Sequence, residues 1–207
     1  MQIRIRADNS VEIEGYVNAV ERDSRILQDR TGKFVECIRA GAFKRTLERN
    51  RNVDVLLNHK ENRKLASIAD TTAELAEDPI GLKCRCVVTD SEVVEKARAG
   101  KLRGWSFGYI DVPNGVDVSN YNEDGSIKRR DVKDLNMTEV SIIDDTMTPC
   151  FAGTLINVRA DKSIYTSDVL ETDIKIIDVE KKERAEDNID YSEYEDTIQK
   201  LKTTGGE

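Results

Sequence analysis

Apolar and polar residues alternate in short runs along the first part of the chain, which is the pattern of half-buried β-strands. Residues 2–6 and 11–19 alternate in this way. The same period returns over 53–57 and ends at His59. Further strands are predicted within 71–88 and near 104–112, 135–143 and 154–158.

Two helices interrupt the predicted strands. Phe43 and Leu47 lie four residues apart in the segment 42–50, so they share one face of a short helix that can pack on a sheet. A capping box that begins at Thr89 predicts a second helix over 90–99. Many short strands with few helices favour a mainly β fold, a barrel or a sandwich with flanking helices. Polar loops are predicted at 60–64 and 113–126.

Charge divides the chain of 207 residues into two parts. Residues 161–207 hold 14 Asp and Glu against 7 Lys and Arg, whereas residues 1–160 hold 26 against 25. Charged residues make up 35% of the chain and hydrophobic residues 38%, so the acidic segment has too little apolar surface to fold by burial alone. We therefore predict a folded domain over 1–160 and a flexible acidic tail over 161–207 that is disordered or binds a partner.

The same composition argues against several classes of function. Neither part carries the excess of positive charge that binding to nucleic-acid phosphates requires. No stretch approaches the roughly 18 apolar residues of a membrane span, and the polar start lacks the apolar core of a secretory signal. A soluble protein of the cytosol is expected, with neither nucleic acid nor membrane as its partner.

The four cysteines are interpreted as reduced thiols of a cytosolic protein rather than as a disulfide framework. Cys37, Cys84, Cys86 and Cys150 could together supply four thiolates to a zinc ion, but no two of them have the CxxC spacing of zinc sites. Cys150 could instead be a nucleophile beside a histidine, although it lacks the glycine-rich backbone that surrounds Ser106. A zinc site is therefore not expected.

The chain has one histidine, His59, and it stands where a predicted strand passes into a predicted loop. Side chains that bind or catalyse concentrate at strand ends, because the strand fixes their position and the loop gives access. A surface histidine without a function is the alternative, since titration near neutral pH is a capacity that need not be used.

Ser106 is the candidate nucleophile. Strand geometry puts Trp105, Phe107 and Tyr109 on one face of the segment 101–110. Ser106 then stands on the other face, and glycines on both sides leave the backbone near its hydroxyl open to an acyl group. A polar strand residue beside the glycines of a bulge is the alternative.

Glu139 lies in an apolar strand segment. Strand alternation places it on the face of Met137, Ser141 and Ile143. A buried carboxylate is costly unless it is paired. A histidine is one suitable partner, because the carboxylate fixes its tautomer and stabilises the imidazolium. An edge-strand salt bridge is the alternative.

Six short blocks follow one another along the chain: EGYVNAVER near the start, IRAGAFKRTL at 38–47, VLLNH at 55–59, GLKCRC at 81–86, GWSFGY at 104–109 and LNMTEVSII at 135–143. In their order and spacing they resemble the HK97-type prohead maturation proteases of tailed bacteriophages. The resemblance covers roughly residues 10–158.

The resemblance implies a serine endopeptidase inside the immature prohead, in the host cytoplasm. Its substrates would be the major capsid protein, through a propeptide, and the scaffold, and such enzymes often trim themselves. The implied fold is similar to that of the herpesvirus assembly proteases, a mostly β barrel surrounded by helices, and the implied chemistry needs no cofactor. Self-association into a homo-oligomer is left open.

The blocks also imply the roles of individual residues. The VLLNH block identifies His59 as the catalytic histidine, and the GWSFGY block identifies Ser106 as the nucleophile. The LNMTEVSII block implies Glu139 as the third member of the site, with Asp144 and Asp145 as alternatives because related proteases vary in this group.

One departure and two other hypotheses accompany the resemblance. After the histidine the chain reads KENRKLASI, where members of this family often carry an acidic residue and then a glycine, so contacts with substrate are expected to differ there. A catalytically inactive assembly scaffold that acts through the acidic tail is the second hypothesis, although it would not need His59 and Ser106. An unrelated β-barrel binding module is the third, and it predicts that these two residues lie far apart.

Overall fold

The computed structural model describes residues 1–146 and the strands at 157–159, 162–166 and 175–178. The strands of these described parts are β1 (Gln2–Ile5), β2 (Val11–Ala19), β3 (Leu27–Gln28), β4 (Lys33–Ile38), β5 (Asp54–Leu57), β6 (Lys60–Ser67), β7 (Ala73–Glu77), β8 (Gly81–Val88), β9 (Leu102–Asp111), β10 (Val116–Asn120), β11 (Ile127–Val132), β12 (Leu135–Asp144), β13 (Asn157–Arg159), β14 (Lys162–Thr166) and β15 (Lys175–Asp178). The helices described are α1 (Ala42–Arg49) and α2 (Ser91–Arg98). The predicted mainly β fold with flanking helices is confirmed.

The described strands form three sheets. One has the order β15-β1-β2-β8-β7, and a second has the order β10-β11-β4-β3. The third has the order β13-β14-β9-β12-β5-β6. In this six-stranded sheet β12 is antiparallel to β9 and parallel to β5, so it separates the strand of Ser106 from the strand that leads to His59.

The core face of β9 carries the three aromatic side chains that strand alternation predicts. Trp105, Phe107 and Tyr109 are each at most 1% exposed. The Phe107 ring meets the edge of Phe43 on α1 at a centroid distance of 5.1 Å and stacks on Tyr109 at 5.7 Å. Because neighbours along a strand point to opposite faces, this packing holds Ser106 on the far side of the sheet.

A β-bulge in β12 decides which way Glu139 points. The register pairs Met137 with Tyr109 and Glu139 with Gly108, so Thr138 is an extra residue on β12. Met137 therefore packs in the core on the face of Tyr109, and the prediction that it shares the face of Glu139 is wrong. Strand alternation alone cannot reveal the inserted residue, which turns Glu139 away from the core.

Helix α1 supports this bulge. The Oγ1 of Thr46 accepts a hydrogen bond of 3.0 Å from the N–H of Met137 at the bulge. At the start of the helix, where Gly41 gives no side-chain cap, the carboxylate of Glu77 on β7 accepts the N–H groups of Gly41 and Lys44. Backbone donors at a helix start and at a bulge otherwise lack partners, so these bonds fix α1 between β7 and β12.

Helix α2 begins one residue later than its predicted capping box. Asp90, and not Thr89, is the N-cap, and its carboxylate accepts the N–H of Val93 at 3.1 Å. An anion at this position also interacts favourably with the helix dipole. Gly100 follows the helix with a φ of 67°, the left-handed conformation that glycine favours there.

The loop predicted at 60–64 is wrong, because β6 covers all of it. The loop predicted at 113–126 is partly wrong, because β10 lies within it. β14 and β15 fall inside the segment predicted as an acidic tail, and β15 pairs in parallel with β1. The remaining residues of that segment lie outside the described chain, as do 154–156 of the strand predicted near 154–158. The division into a domain over 1–160 and a tail stays a prediction.

Candidate active site

His59 occupies a two-residue hairpin turn rather than the entrance of an open loop. Leu57 on β5 pairs with Lys60 on β6, and the two residues between them, Asn58 and His59, have φ of 54° and 57°. Two consecutive positive φ values define a type I′ turn, which usually contains glycine at one position. Each non-glycine residue in this conformation costs roughly 1 kcal/mol, so other contacts must hold the turn.

The side chain of Asn58 supplies part of that support. Its Oδ1 accepts the N–H of Asp144 at 3.0 Å, and its Nδ2 donates to the Oγ1 of Thr146 at 3.2 Å. The backbone N–H of Asn58 donates to the carbonyl of Ile142 at 3.0 Å. The turn is therefore fixed to the end of β12, and His59 is held beside that strand.

Asp144 is buried next to this turn and forms an ion pair with Lys96 of α2. Its side chain is 0% exposed, and its carboxylate accepts hydrogen bonds from Lys96 at 2.5 Å and from the hydroxyl of Thr146 at 2.6 Å. Burial alone would raise the pKa of Asp144, but the Lys96 ammonium and the hydrogen bonds outweigh it and hold this pKa well below its usual range. The carboxylate therefore remains charged and anchors the end of β12.

Glu139 is the carboxylate that contacts the histidine ring. Its Oε1 lies 2.8 Å from the Nδ1 of His59. The two alternatives for this role have other partners, because Asp144 binds Lys96 and Asp145 lies 3.8 Å from the Nζ of Lys101. Since a carboxylate only accepts hydrogen bonds, this contact places a proton on Nδ1 and leaves Nε2 for a nucleophile.

Gly108 makes room for that carboxylate. A Cβ at this position would lie 2.6 Å from the Oε1 of Glu139 and 2.9 Å from the Oγ1 of Thr138. Both distances are shorter than real carbon contacts allow. The absent side chain thus admits Glu139, whereas the sequence suggested that it keeps space for an incoming acyl group.

Ser106 lies on the same face of the sheet, one strand away. It pairs with Ser141 of β12, and directly opposed residues of antiparallel strands point to the same side. The Oγ of Ser141 in turn accepts a hydrogen bond of 3.0 Å from the backbone N–H of His59. The three residues predicted from the sequence therefore meet in one region. Ser106 is buried, at 2% exposure.

The family model of the caudovirus prohead serine proteases matches residues 1–167 of this chain. The chain belongs to this family. Searches of curated proteins and of solved structures find no match. Membership makes the chain a serine peptidase of phage capsid maturation, a class that acts within the assembling capsid in the host cell. An unrelated binding module is not favoured by this match.

Two contacts of this prohead protease were missed by reasoning from the sequence. Ser141 and Asn58 hold the histidine and its carboxylate, yet a serine in a strand and an asparagine in a turn are both common. One signal was present for Ser141, since it stands two residues after Glu139 and so shares its face of the strand.

The cysteines of the prohead protease lie apart from this site. Cys37, Cys84 and Cys86 are buried free thiols, and burial raises the pKa of Cys84 well above its usual value. Cys150 lies outside the described residues. Among the described residues, no group of three or more His, Cys, Asp or Glu side chains is arranged to hold a metal ion. None of the described helices is long and apolar enough to cross a membrane.

Proposed function

We propose that the chain is an active endopeptidase in which Ser106 is the nucleophile, His59 the general base and Glu139 the group that orients the imidazole. The single observation that carries this proposal is the contact of 2.8 Å between the Nδ1 of His59 and the Oε1 of Glu139. A protein without catalytic function would have no need of a strained turn that aims its one histidine at a carboxylate.

The reaction follows from these groups. The Nε2 of His59 takes the proton of the Ser106 hydroxyl while the oxygen attacks the peptide carbonyl carbon. The tetrahedral intermediate collapses to an acyl-enzyme as the imidazolium returns the proton to the leaving amine. Water then attacks the ester with His59 again as base, which releases the new carboxyl group and restores Ser106. Glu139 keeps the proton on Nδ1 and stabilises the imidazolium in both steps.

The substrates we propose are the scaffold and the propeptide of the major capsid protein, together with the chain itself. Membership in a family of prohead proteases supports this choice, because such enzymes act inside the assembling capsid. Confinement in a shell also brings enzyme and substrate together at a high effective concentration. Hydrolysis by these side chains requires no metal or organic cofactor.

The test compares the wild type with Ser106→Ala, each expressed alone and with its cognate capsid protein and scaffold, and measures fragment masses. Ser10→Ala is the matched control, since Ser10 is also a buried serine, at 3% exposure, and lies between β1 and β2. We expect fragments from the wild type and from the control, and intact chains with Ser106→Ala. If all three proteins give intact chains while the capsid still assembles, the proposal of an active protease is wrong, and the hypothesis of a catalytically inactive assembly scaffold takes its place.

A further inference from the structure

One buried hydroxyl connects the histidine backbone to the carboxylate that holds its ring. The Oγ of Ser141 donates to the Oε2 of Glu139 at 2.5 Å and accepts the N–H of His59 at 3.0 Å. With the contact of 2.8 Å between Nδ1 and Oε1, these bonds form a closed circuit of three residues. Ser141 is 0% exposed, so water does not compete for its hydroxyl.

The three hydrogen bonds of this circuit fix the backbone of His59 and both carboxylate oxygens of Glu139. His59 follows Asn58 in a tight turn, and the bond to Ser141 fixes the direction in which its backbone departs from β5. The Oε1 of Glu139 contacts the ring, and its Oε2 accepts the hydrogen bond from the hydroxyl of Ser141. A carboxylate held at both oxygens cannot rotate about its last bond, so the ring it contacts is held in one orientation.

The bonds of Ser141 also argue against a nucleophilic role for this residue, although it faces Ser106 across the strand pair. The hydroxyl of Ser141 already donates a hydrogen bond to Glu139, and its oxygen already accepts one from the backbone N–H of His59. A nucleophile instead needs its proton directed to the Nε2 of a base. The hydroxyl of Ser141 is therefore placed to support the site rather than to attack a substrate.

We propose that Ser141 is a positioning residue: its hydroxyl holds Glu139 and the turn of His59 in the arrangement that presents Nε2 to Ser106. This assignment rests on the proposed function. Removing a hydrogen bond to a charged group and loosening the base that it supports should lower kcat by about 10- to 100-fold. KM should change little, because Ser141 is buried and does not reach the substrate.

Two variants separate hydrogen bonding from packing. Ser141→Ala removes the hydroxyl, and Ser141→Cys keeps a side chain of similar volume but replaces a strong donor by a weak one. Ser10→Ala is the matched control, because the hydroxyl of buried Ser10 also donates to a carboxylate, that of Asp8 at 2.6 Å. If the alanine variant does not fold, the cysteine variant carries the test.

The single histidine of the chain supplies a readout that a purely structural role would not move. In protein labelled with ¹⁵N-histidine, the imidazole signals come from His59 alone and report which nitrogen carries the proton. We expect a hydrogen-bonded Nδ1 proton in the wild type and in Ser10→Ala. Both Ser141 variants should show this proton shifted or lost to exchange with water, together with the lower kcat.

Covalent labelling with a fluorophosphonate completes the experiment. The labelled peptide of the wild type should contain Ser106, and labelling of the Ser141 variants should be slower but at the same residue. Imidazole signals and kcat equal to those of Ser10→Ala would overturn the assignment, as would a label on Ser141. A wild type that cleaves nothing would reject the proposed function, whereas the imidazole signals would still show whether Ser141 holds His59.

Discussion

Replacing Gly108 by alanine should separate Glu139 from His59 without unfolding the protein. The new methyl group would lie 2.6 Å from the Oε1 of Glu139, and ordinary contact begins near 3.4 Å, so this oxygen must retreat by about 0.8 Å. The hydrogen bond from Nδ1, now 2.8 Å, cannot survive such a shift with good geometry. The atoms in conflict are ends of side chains, since the next contact is the Oγ1 of Thr138, so the sheet itself need not move.

The expected effect on catalysis lies between two limits. Misplacing a catalytic group by about 1 Å costs on the order of 10²-fold, and losing the correct tautomer of the base costs on the order of 10⁴-fold. We expect Gly108→Ala to lower kcat by about 10²-fold. The assay is the rate of cleavage of the cognate capsid protein, measured beside a thermal unfolding curve.

Gly100→Ala is the control for this experiment. Its methyl group meets nothing closer than 3.8 Å, but its φ of 67° strains any side chain, so it destabilises the fold away from the site. A cleavage rate for Gly108→Ala equal to that of Gly100→Ala would refute the reasoning, because the position of Glu139 would then not matter to His59.

Three further changes test the buried charges and the helix cap. Lys96→Met should lower the free energy of unfolding by about 3 kcal/mol in urea, because it leaves the carboxylate of Asp144, 0% exposed, without its cation. Because the pKa of Asp144 is lowered in the folded protein, its charged form stabilises the fold at pH values above the ordinary pKa of an aspartate, and this stabilisation is lost as the pH falls. The free energy of unfolding of Lys96→Met should therefore depend less on pH in acid than that of the wild type. Burial raises the pKa of Glu36, so its charged form opposes folding as the pH rises above the ordinary pKa of a glutamate. Glu36→Gln keeps an acceptor for the hydroxyl of Tyr109 and should flatten that loss in urea midpoints measured at increasing pH. Asp90→Ala should cost about 1 kcal/mol by removing the cap of α2, and an unchanged melting temperature would contradict that role.

The parts of the fold that follow hydrophobic alternation could be predicted from the sequence, and the polar strands could not. β5 and β9 place every second residue in the main hydrophobic core, as the alternation predicts: Val55 and Leu57 on β5, and Trp105, Phe107 and Tyr109 on β9. The first residues of β6 are exposed and charged, so they look like a loop, and only pairing with β5 makes them a strand. The same holds for β10, whose exposed residues pair with β11.

The candidate site was predictable to a different degree for each residue. His59 could be singled out as the one histidine at a strand end, and Glu139 as an acid in an apolar strand. Ser106 had no distinctive local pattern, and its assignment depends on the resemblance between short blocks. The bulge at Thr138 was not predictable, because one inserted residue changes the direction of a side chain without changing the composition of the strand.

The central place of β12 also has a consequence for when the proposed site can form. β5 and β9 are not neighbours in the sheet, since β12 lies between them and pairs with both. β12 follows them in the chain, so during synthesis the ribosome completes His59 and Ser106 before the strand that joins them exists. Such non-local pairing is a late step in folding. The site proposed above therefore cannot assemble in a nascent chain until β12 has been made and has paired with both strands.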